Sequence, residues 1–412
     1  MNRPTLQPPA AIDASEPPRR GTLVTALGLI QIISWGSSYY LPAVLAKPIV
    51  ADTGWSLPWV VGGLSLGLLA GGVVSPRVGR TIDRHGGRLV LCCSSILFAL
   101  GFALLSLAPN LPVYLAAWLL IGLAMGSGLY DATFATLGGI YGLTARPAIT
   151  ILTLFGGLAS TVGWPLTAFL NAELGWRGAC LVYAGLHLAL CLPLNLFMLP
   201  RGKPTPHPKG NPAAPSVPLE EGPSGRTKTV LLTLLTAIFT LNSGLVTVIS
   251  VHLISILQTR SMGLAAAVAL GALLGPSQVA SRLLELVFGR YYHPLWTMTA
   301  SLTLIAAGLS LMLGQFQIVS ATLVIYGFGV GLSAIARGTV PLRLFGPLGY
   351  ATLMGRLAVF PLLSQALCPS LASFLMVDGD ANTVLSIITA AALCNVVLTA
   401  WLWTAAKRSR PG

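Results

Sequence analysis

Charged side chains are scarce in this chain. Only 8% of its 412 residues are Asp, Glu, Lys or Arg, and just 11 of these are acidic. Soluble globular proteins carry about 25% charged residues, so a water-soluble fold of this size is excluded. Instead, 54% of the residues are hydrophobic and the mean hydropathy is +0.80, which favours a protein embedded in a lipid bilayer.

Catalytic and metal-binding motifs are also lacking. The six cysteines lie in or beside apolar runs, and none stands near a His at the spacing of a metal site. The H-E-x-x-H and Walker motifs do not occur. We therefore expect no enzyme, no metal and no cofactor. Because a Walker motif for ATP is missing, any active transport by this chain would depend on an ion or solute gradient, and proton coupling stays open.

The net charge of +13 raises the question of a nucleic-acid partner. Nucleic-acid binding needs long basic tracts or basic residues interleaved with aromatic ones, and the sequence has neither. Its Lys and Arg residues stand in short clusters between apolar runs, where they serve membrane topology and contact with anionic headgroups. We expect the bilayer as a partner and no nucleic acid.

The apolar runs are long enough to cross a bilayer, which takes about 20 residues. We expect the first run to be a retained span rather than a cleaved signal. Twelve spans are predicted, at residues 22–45, 57–78, 89–107, 112–138, 147–170, 178–199, 229–256, 264–288, 295–313, 318–340, 352–376 and 383–405.

The basic residues predict the orientation of these spans. With both termini on one side, twenty Lys and Arg residues fall on that side and only Lys47, Arg177 and Arg260 on the other. Because basic loops resist translocation, the richer side is predicted to be cytoplasmic. The same count places Arg337 in a cytoplasmic connection and leaves Arg282 inside a span.

A Pro-rich linker at residues 200–228 separates six spans from six spans. The two sets show an internal repeat at a shift of about 202 residues, which places Asp83 on Glu285 and Arg80 on Arg282. Such a repeat is the mark of a duplicated transporter half.

One short stretch carries a family resemblance. The charge-dense connection between the second and third spans reads G-x-x-x-D-R-x-G-x-R, formed by Gly79, Asp83, Arg84, Gly86 and Arg88. It resembles the loop signature of the major facilitator superfamily, a family of secondary transporters of which the chain looks like a bacterial type. The G-W-R of residues 175–177 is similar to the start of the sixth span in that family.

The resemblance implies an all-α membrane protein of twelve helices in two pseudo-symmetric six-helix bundles. The expected segments are a Pro-rich tail at 1–21, bundles at 22–199 and 229–405, the linker at 200–228 and a basic tail at 406–412. Spans 1, 4, 7 and 10 would line a cavity that opens alternately to each side.

The resemblance also implies a conformational latch. Asp83 would cap the start of the eleventh span near residues 349–352, where the helix dipole favours an anion. The acid near the cytoplasmic end of the fourth span, Asp131, would pair with Arg84. A proton-coupling role for Asp131 is the alternative, but a paired acid stays ionised. The predicted latch residues are Gly79, Asp83, Arg84, Gly86, Arg88, Asp131 and Glu285.

Arg282 admits two interpretations. It stands three residues from Glu285 on one helix face, so each is expected to neutralise the other, as a counterpart of the first latch. Alternatively, Arg282 binds an anionic substrate, as an eighth-span Arg does in monocarboxylate transporters. Gln278 lies just before it, beside a Gly-Pro pair that can break the helix.

The first span offers a polar and aromatic stripe. Gln31, Trp35 and Tyr39 recur every four residues and so share one face, which we interpret as cavity lining. His252 in the seventh span is a further candidate, although a lone His is more often a packing residue. The candidate cavity residues are Gln31, Trp35, Tyr39, His252, Gln278 and Arg282.

The predicted function is secondary active transport of a small organic solute, with an organic anion as one candidate. The transporter is expected to be a monomer in a cell inner membrane, with both termini in the cytoplasm. Proton-coupled efflux of a toxic compound is the alternative. It is disfavoured because Trp118 precedes Gly122 where drug antiporters carry an Arg. A transporter-like receptor or a channel is a weaker alternative.

Overall fold

The computed structural model describes residues 20–202, 225–259, 262–314, 318–378 and 381–408. Within these ranges the chain is almost entirely helical and contains no β-strand. Most of the Pro-rich linker, most of the N-terminal tail and the last residues of the C-terminal tail lie outside the described residues.

The first half of the described chain contains nine α-helices. Short 3-10 and π segments, Gly142–Ala145 and His187–Cys191, connect two pairs of them. The helices are α1 (Arg20–Ser37), α2 (Leu41–Thr53), α3 (Leu57–His85), α4 (Gly87–Ser106), α5 (Leu111–Gly128), α6 (Tyr130–Tyr141), α7 (Arg146–Gly157), α8 (Ala159–Leu186) and α9 (Leu192–Met198).

The second half repeats this organisation with eight α-helices and one 3-10 segment, Gly289–Tyr291. The helices are α10 (Gly225–Gln258), α11 (Leu264–Gly271), α12 (Leu274–Phe288), α13 (Pro294–Leu313), α14 (Val319–Phe345), α15 (Tyr350–Leu357), α16 (Val359–Asp378) and α17 (Ala381–Arg408).

The helices confirm a multi-pass membrane protein. Nine helical stretches of the described residues are long and apolar enough to cross a bilayer, and one of them, 111–198, extends over three predicted spans. The twelve predicted spans fall largely on helix, but the exact number of crossings stays a prediction. Large apolar side chains on the outer surface, such as Val73, Phe197 and Val397, are more than 60% exposed, as expected for groups that contact lipid.

The charge-dense connection differs from its prediction as a loop. Helix α3 continues through the charged residues to His85, and α4 begins at Gly87. Gly86 alone makes the turn, with φ of +81°, a conformation that glycine adopts without steric cost. We call the end of the bundle at this turn the Asp83 face.

A second glycine separates the predicted fifth and sixth spans. Gly175 has φ of +69° inside α8 and breaks its helical geometry. The break directs the next residue, Trp176, toward α2, where its indole Nε1 donates to the Asp52 carboxylate at 2.9 Å. This contact lies at the end of the bundle opposite the Asp83 face.

Buried apolar residues form three clusters. One draws all its fully buried members from residues 231–406, whereas the other two lie mainly between residues 23 and 199. Inside the first half, α3 and α5 approach unusually closely. A Cβ on Gly122 would lie 2.2 Å from the carbonyl oxygen of Gly67, and one on Gly126 would lie 2.6 Å from that of Gly71. Backbone therefore packs directly against backbone along this pair.

Candidate functional site

Asp83, in the last turn of α3, contacts the second half at the start of α15. One carboxylate oxygen accepts the backbone N–H of Thr352 at 2.7 Å, and the other accepts that of Ala351 at 3.3 Å. These N–H groups belong to the first turn of α15, where no intrahelical acceptor exists and the dipole favours an anion. The predicted contact near residues 349–352 is present, and its part in turnover stays a prediction.

Glycine permits this contact. A Cβ on Gly79 would lie 2.2 Å from the carbonyl oxygen of Ala351, and one on Gly355 would lie 2.3 Å from that of Ser75. Helices α3 and α15 therefore touch through their backbones, and any larger residue at these positions would force the two halves apart.

Asp131 pairs with Arg337, so the predicted pairing with Arg84 is wrong. The Arg337 guanidinium donates from Nε at 2.7 Å and from Nη2 at 2.8 Å to the two carboxylate oxygens. Asp131 lies in the first turn of α6, ten residues and about 15 Å from the end of that helix. Arg84 is the penultimate residue of α3 and is exposed, and Arg88 is half-buried at the start of α4.

Glu285 pairs with Arg146, which corrects the expected neutralisation by Arg282. Its Oε1 accepts from Arg146 Nη2 at 2.6 Å and from the Thr297 hydroxyl at 2.9 Å, and its Oε2 accepts from the Tyr292 hydroxyl at 2.5 Å. Because α12 of the second half thereby contacts the start of α7 in the first, this pair is a counterpart of the Asp83 contact. Burial of the ring, together with the Glu285 carboxylate, raises the pKa of Tyr292 to about 12, so its hydroxyl stays protonated as a donor.

Arg282 is only 5% exposed. Its guanidinium donates to the carbonyl oxygens of Thr153 at 2.7 Å and Gly331 at 3.3 Å, and to the Gln278 amide oxygen at 3.4 Å. Among the described residues, the ion pairs are Arg146–Glu285, Arg177–Asp52 and Arg337–Asp131. No described carboxylate therefore neutralises Arg282.

The stripe on α1 divides into a buried and a partly accessible part. Gln31 is 1% exposed, and its amide nitrogen donates to the carbonyl oxygen of Gly128 at 2.8 Å. Its amide oxygen accepts from the Trp35 indole at 3.0 Å. Gln31 thus fixes the orientation of Trp35, which is half-buried.

Trp35 belongs to a set of rings that we call the aromatic cluster. Its ring centroid lies 5.1 Å from that of Tyr130 on α6 and 5.4 Å from that of Tyr39, and the Tyr40 and Trp164 centroids are 5.8 Å apart. The cluster is formed by Trp35, Tyr39, Tyr40, Tyr130 and Trp164.

The aromatic cluster lies between the two halves. The Tyr130 hydroxyl donates to the carbonyl oxygen of Thr153 at 3.4 Å, and the Arg282 guanidinium on α12 donates to the same oxygen at 2.7 Å. Aromatic surface, hydroxyl groups and one guanidinium group without a carboxylate partner therefore converge at this site. The arrangement can stack an apolar body and bind a negative charge.

His252 lies apart from this site. Its Nε2 is 3.0 Å from the carbonyl oxygen of Pro369 on α16 and 3.4 Å from the Ser373 hydroxyl. The side chain therefore links α10 to α16.

Sequence reasoning missed Arg146 and Arg337 as functional candidates. Both were counted only as basic residues of cytoplasmic connections. Arg337 was counted with a connection although it falls within the predicted span 318–340, and in the structure it lies inside α14. Arg146 is the first residue of α7.

Comparisons with known proteins agree with this architecture. A family model described as the Major Facilitator Superfamily matches residues 27–293. Monocarboxylate transporter 6 of Mus musculus is 28% identical over 167 residues, which are 40% of this chain and 34% of the relative. OpdE of Pseudomonas aeruginosa, named as a transcription regulatory protein, is 27% identical over 165 residues, 39% of this chain and 40% of the relative. The matches thus span only about a third to two fifths of these relatives.

Solved structures are similar over nearly the whole chain. The human organic anion transporter MFSD10 (TETRAN) superimposes with a TM-score of 0.70 at 16% identity, covering 93% of this chain and 100% of that one. The proton:xylose symporter XylE superimposes with a TM-score of 0.67 at 9% identity, covering 92% and 95%. At these identities the likeness concerns the fold.

Proposed function

Because this chain belongs to the Major Facilitator Superfamily, we propose that it is a secondary active transporter that carries a small organic anion across a cell inner membrane by alternating access. The absence of an ATP-binding motif in the sequence makes an ion or solute gradient the source of energy. The transporter family is the premise, and the class of substrate and its binding site are the proposal.

The observation that carries the proposal is that Arg282 is buried and has no carboxylate partner among the described residues. Arg282 lies inside the predicted span 264–288, six residues before the end of α12, and an uncompensated Arg inside a membrane is costly, by at least ~2.5 kcal/mol at the centre. Carbonyl and amide oxygens accept its hydrogen bonds, but no described carboxylate neutralises its charge. An anionic substrate would supply the missing negative charge through a charge-assisted hydrogen bond.

The surroundings of Arg282 suit an anion with an apolar body. The Tyr130 hydroxyl shares the Thr153 carbonyl with the guanidinium, and Trp35 and Tyr39 extend the ring surface from Tyr130. The relative named Monocarboxylate transporter 6, which is 28% identical over the matched segment, supports the same class of substrate.

Alternating access is supported by contacts between the two halves. Asp83 with α15 and Glu285 with Arg146 join the halves on the Asp83 face, and Asp131 with Arg337 joins them deeper in the bundle. Breaking these contacts would open that face. The excess of Lys and Arg on this side supports a cytoplasmic location for it, with both termini in the cytoplasm.

Uptake into proteoliposomes tests the proposal. Radiolabelled monocarboxylates and neutral solutes are offered to the wild-type protein, Arg282→Gln, Arg282→Lys and the control Arg356→Gln, which removes an exposed Arg. We expect Arg282→Gln to raise the KM for anions about tenfold or more. Transport of neutral solutes and the control should remain unchanged. If Arg282→Gln kept its anion KM and lost only rate, Arg282 would belong to the closing contacts instead.

The energy source is tested in the same vesicles with and without a pH gradient. Anion uptake that follows the gradient would establish proton coupling, and uptake that ignores it would assign the driving force to the substrate gradient. In this conformation both carboxylate oxygens of Asp131 are already bound by Arg337.

A transporter-like receptor is the second candidate, because the bacterial relative OpdE is named as a regulatory protein. A receptor would bind organic anions in vesicles without moving them. Saturable binding of labelled anion with no accumulation under any gradient would favour this candidate.

A further inference from the structure

A cavity of about 380 Å³ opens on the Asp83 face at the seam between the two halves. Arg146 and Leu143 line it from the first half. Arg290, Tyr292 and Arg343 line it from the second half, at the connection between α12 and α13 and at the last turn of α14. It is separate from the aromatic cluster and from Arg282.

The cavity is strongly positive. Three guanidinium groups line it, and the one carboxylate beside it, Glu285, is already bound to Arg146. Arg290 lies over the Tyr291 ring at 4.7 Å from its centroid and donates to the hydroxyl of that ring. Among the described residues no carboxylate pairs with Arg290 or Arg343.

The chemistry of this lining matches a phosphate group. Arginine presents a planar fork of donors that binds phosphate oxygens in pairs, and the Tyr292 ring lies beside the Arg146 guanidinium at 5.2 Å from its centroid. A volume of this size admits a small ligand or a lipid headgroup. Basic pockets at the ends of membrane helices are suited to anionic headgroups.

The two halves supply different members of the arginine set, and this arrangement has a conformational consequence. Closing the Asp83 face brings Arg146 to its partner Glu285 and places the pair beside Arg290 and Arg343, so the closed cavity keeps a net positive charge. An anion in the cavity would compensate this charge and contact both halves.

We propose that this cavity binds a phosphate group, carried by an anionic lipid or by a soluble phosphate, and that the bound group stabilises the closed state of the Asp83 face. The inference concerns a site outside the proposed transport pathway. A failure of the proposal that Arg282 binds the substrate would therefore leave this inference unaffected.

The test uses the full chain in nanodiscs of neutral phosphatidylcholine. One arm titrates inorganic phosphate, and the other replaces part of the lipid by phosphatidylglycerol. The variant Arg290→Gln/Arg343→Gln is compared with the control Arg77→Gln/Arg356→Gln, which removes two exposed arginines outside the cavity. Binding is measured directly, and closure is followed by the distance between spin labels at positions 139 and 348, one in each half.

We expect the wild type and the control to bind at least one probe and the cavity variant to bind it about tenfold or more weakly. Binding should shorten the label distance in the wild type. A response to phosphatidylglycerol alone assigns the site to a lipid headgroup, and a response to inorganic phosphate assigns it to a soluble anion. Equal affinities of the cavity variant and the control, or no binding by the wild type, would overturn the site. Binding without a shorter distance would overturn its role in closure.

Discussion

Arg337 of α14 binds both carboxylate oxygens of Asp131 of α6, at 2.7 and 2.8 Å. The two residues are 206 positions apart in the chain and belong to different halves. A single bidentate ion pair therefore spans the seam, with both side chains less than a fifth exposed. Removing either Asp131 or Arg337 would leave the charge of the other side chain unneutralised and poorly hydrated between the two halves.

A double-mutant cycle checks this pair. We expect Asp131→Asn and Arg337→Gln each to slow transport. The loss of rate in the double variant, expressed as a free energy, should be smaller than the sum of the two single losses. The coupling energy should be roughly 1–3 kcal/mol, since the two residues share one interaction. Initial uptake rates in proteoliposomes provide the measurement. The cycle of Asp131→Asn with Arg84→Gln is the control and should be additive, and full additivity for Asp131 with Arg337 would contradict the pairing.

Neutralising Asp83 should affect turnover rather than recognition. Asp83→Asn keeps the shape of the side chain but loses the charge that the N-terminus of α15 favours. This charge is worth about 1 kcal/mol, or about a fivefold change in the ratio of closed to open molecules. The transport rate should fall while the substrate Kd stays constant. Glu173→Gln, which neutralises an exposed carboxylate near the opposite end of the bundle, is the control. A variant that lost substrate binding yet still cycled would refute the latch assignment.

Adding one methyl group at Gly79 should keep the Asp83 face from closing. In Gly79→Ala the new Cβ would meet the carbonyl oxygen of Ala351 at 2.2 Å, so the closed contact cannot form without displacing α15. We expect slower transport and a longer distance between labels on the two halves. Gly62→Ala is the matched control, because Gly62 lies on the same helix and nothing lies within 4 Å of its added Cβ. Normal closure by Gly79→Ala would show that the backbone contact is not needed.

The hydrogen bond from Tyr292 to Glu285 predicts a pH dependence. Because the pKa of Tyr292 is raised from about 10 to about 12, its contribution to stability is fully present below pH 10 and is lost as the pH rises through 12. Tyr292→Phe lacks this contribution at every pH. The difference in Tm between wild type and variant should therefore be constant up to about pH 10 and shrink above it.

Tyr291→Phe is the control for this experiment, since Tyr291 is 69% exposed and contacts no carboxylate. A Tm difference for Tyr292→Phe that did not change between pH 8 and 12 would contradict the hydrogen bond.

The sequence predicted the helices and the Asp83 contact because both follow from local signals. Runs of about 20 apolar residues dictate spans, and the motif with its glycines specifies where α3 meets another helix. The internal repeat likewise indicated that Asp83 and Glu285 occupy equivalent places, and in the structure both contact the opposite half.

The partners of Asp131 and Glu285 could not be predicted in the same way. Helical spacing shows which residues share a face, and for that reason Arg282 looked like the partner of Glu285. It does not show which helix lies opposite that face. Arg146 and Arg337 lie 139 and 206 residues from the acids they bind, so only the packing of the two halves brings each pair together.

The glycine contacts between α3 and α5 have a mechanical consequence. Where Gly67 meets Gly122 and Gly71 meets Gly126, no side chain lies between the two helices. Two backbones in direct contact leave no space into which either helix could move closer. We therefore expect α3 and α5 to move as one unit, so that a displacement of α3 at Asp83 also displaces α5.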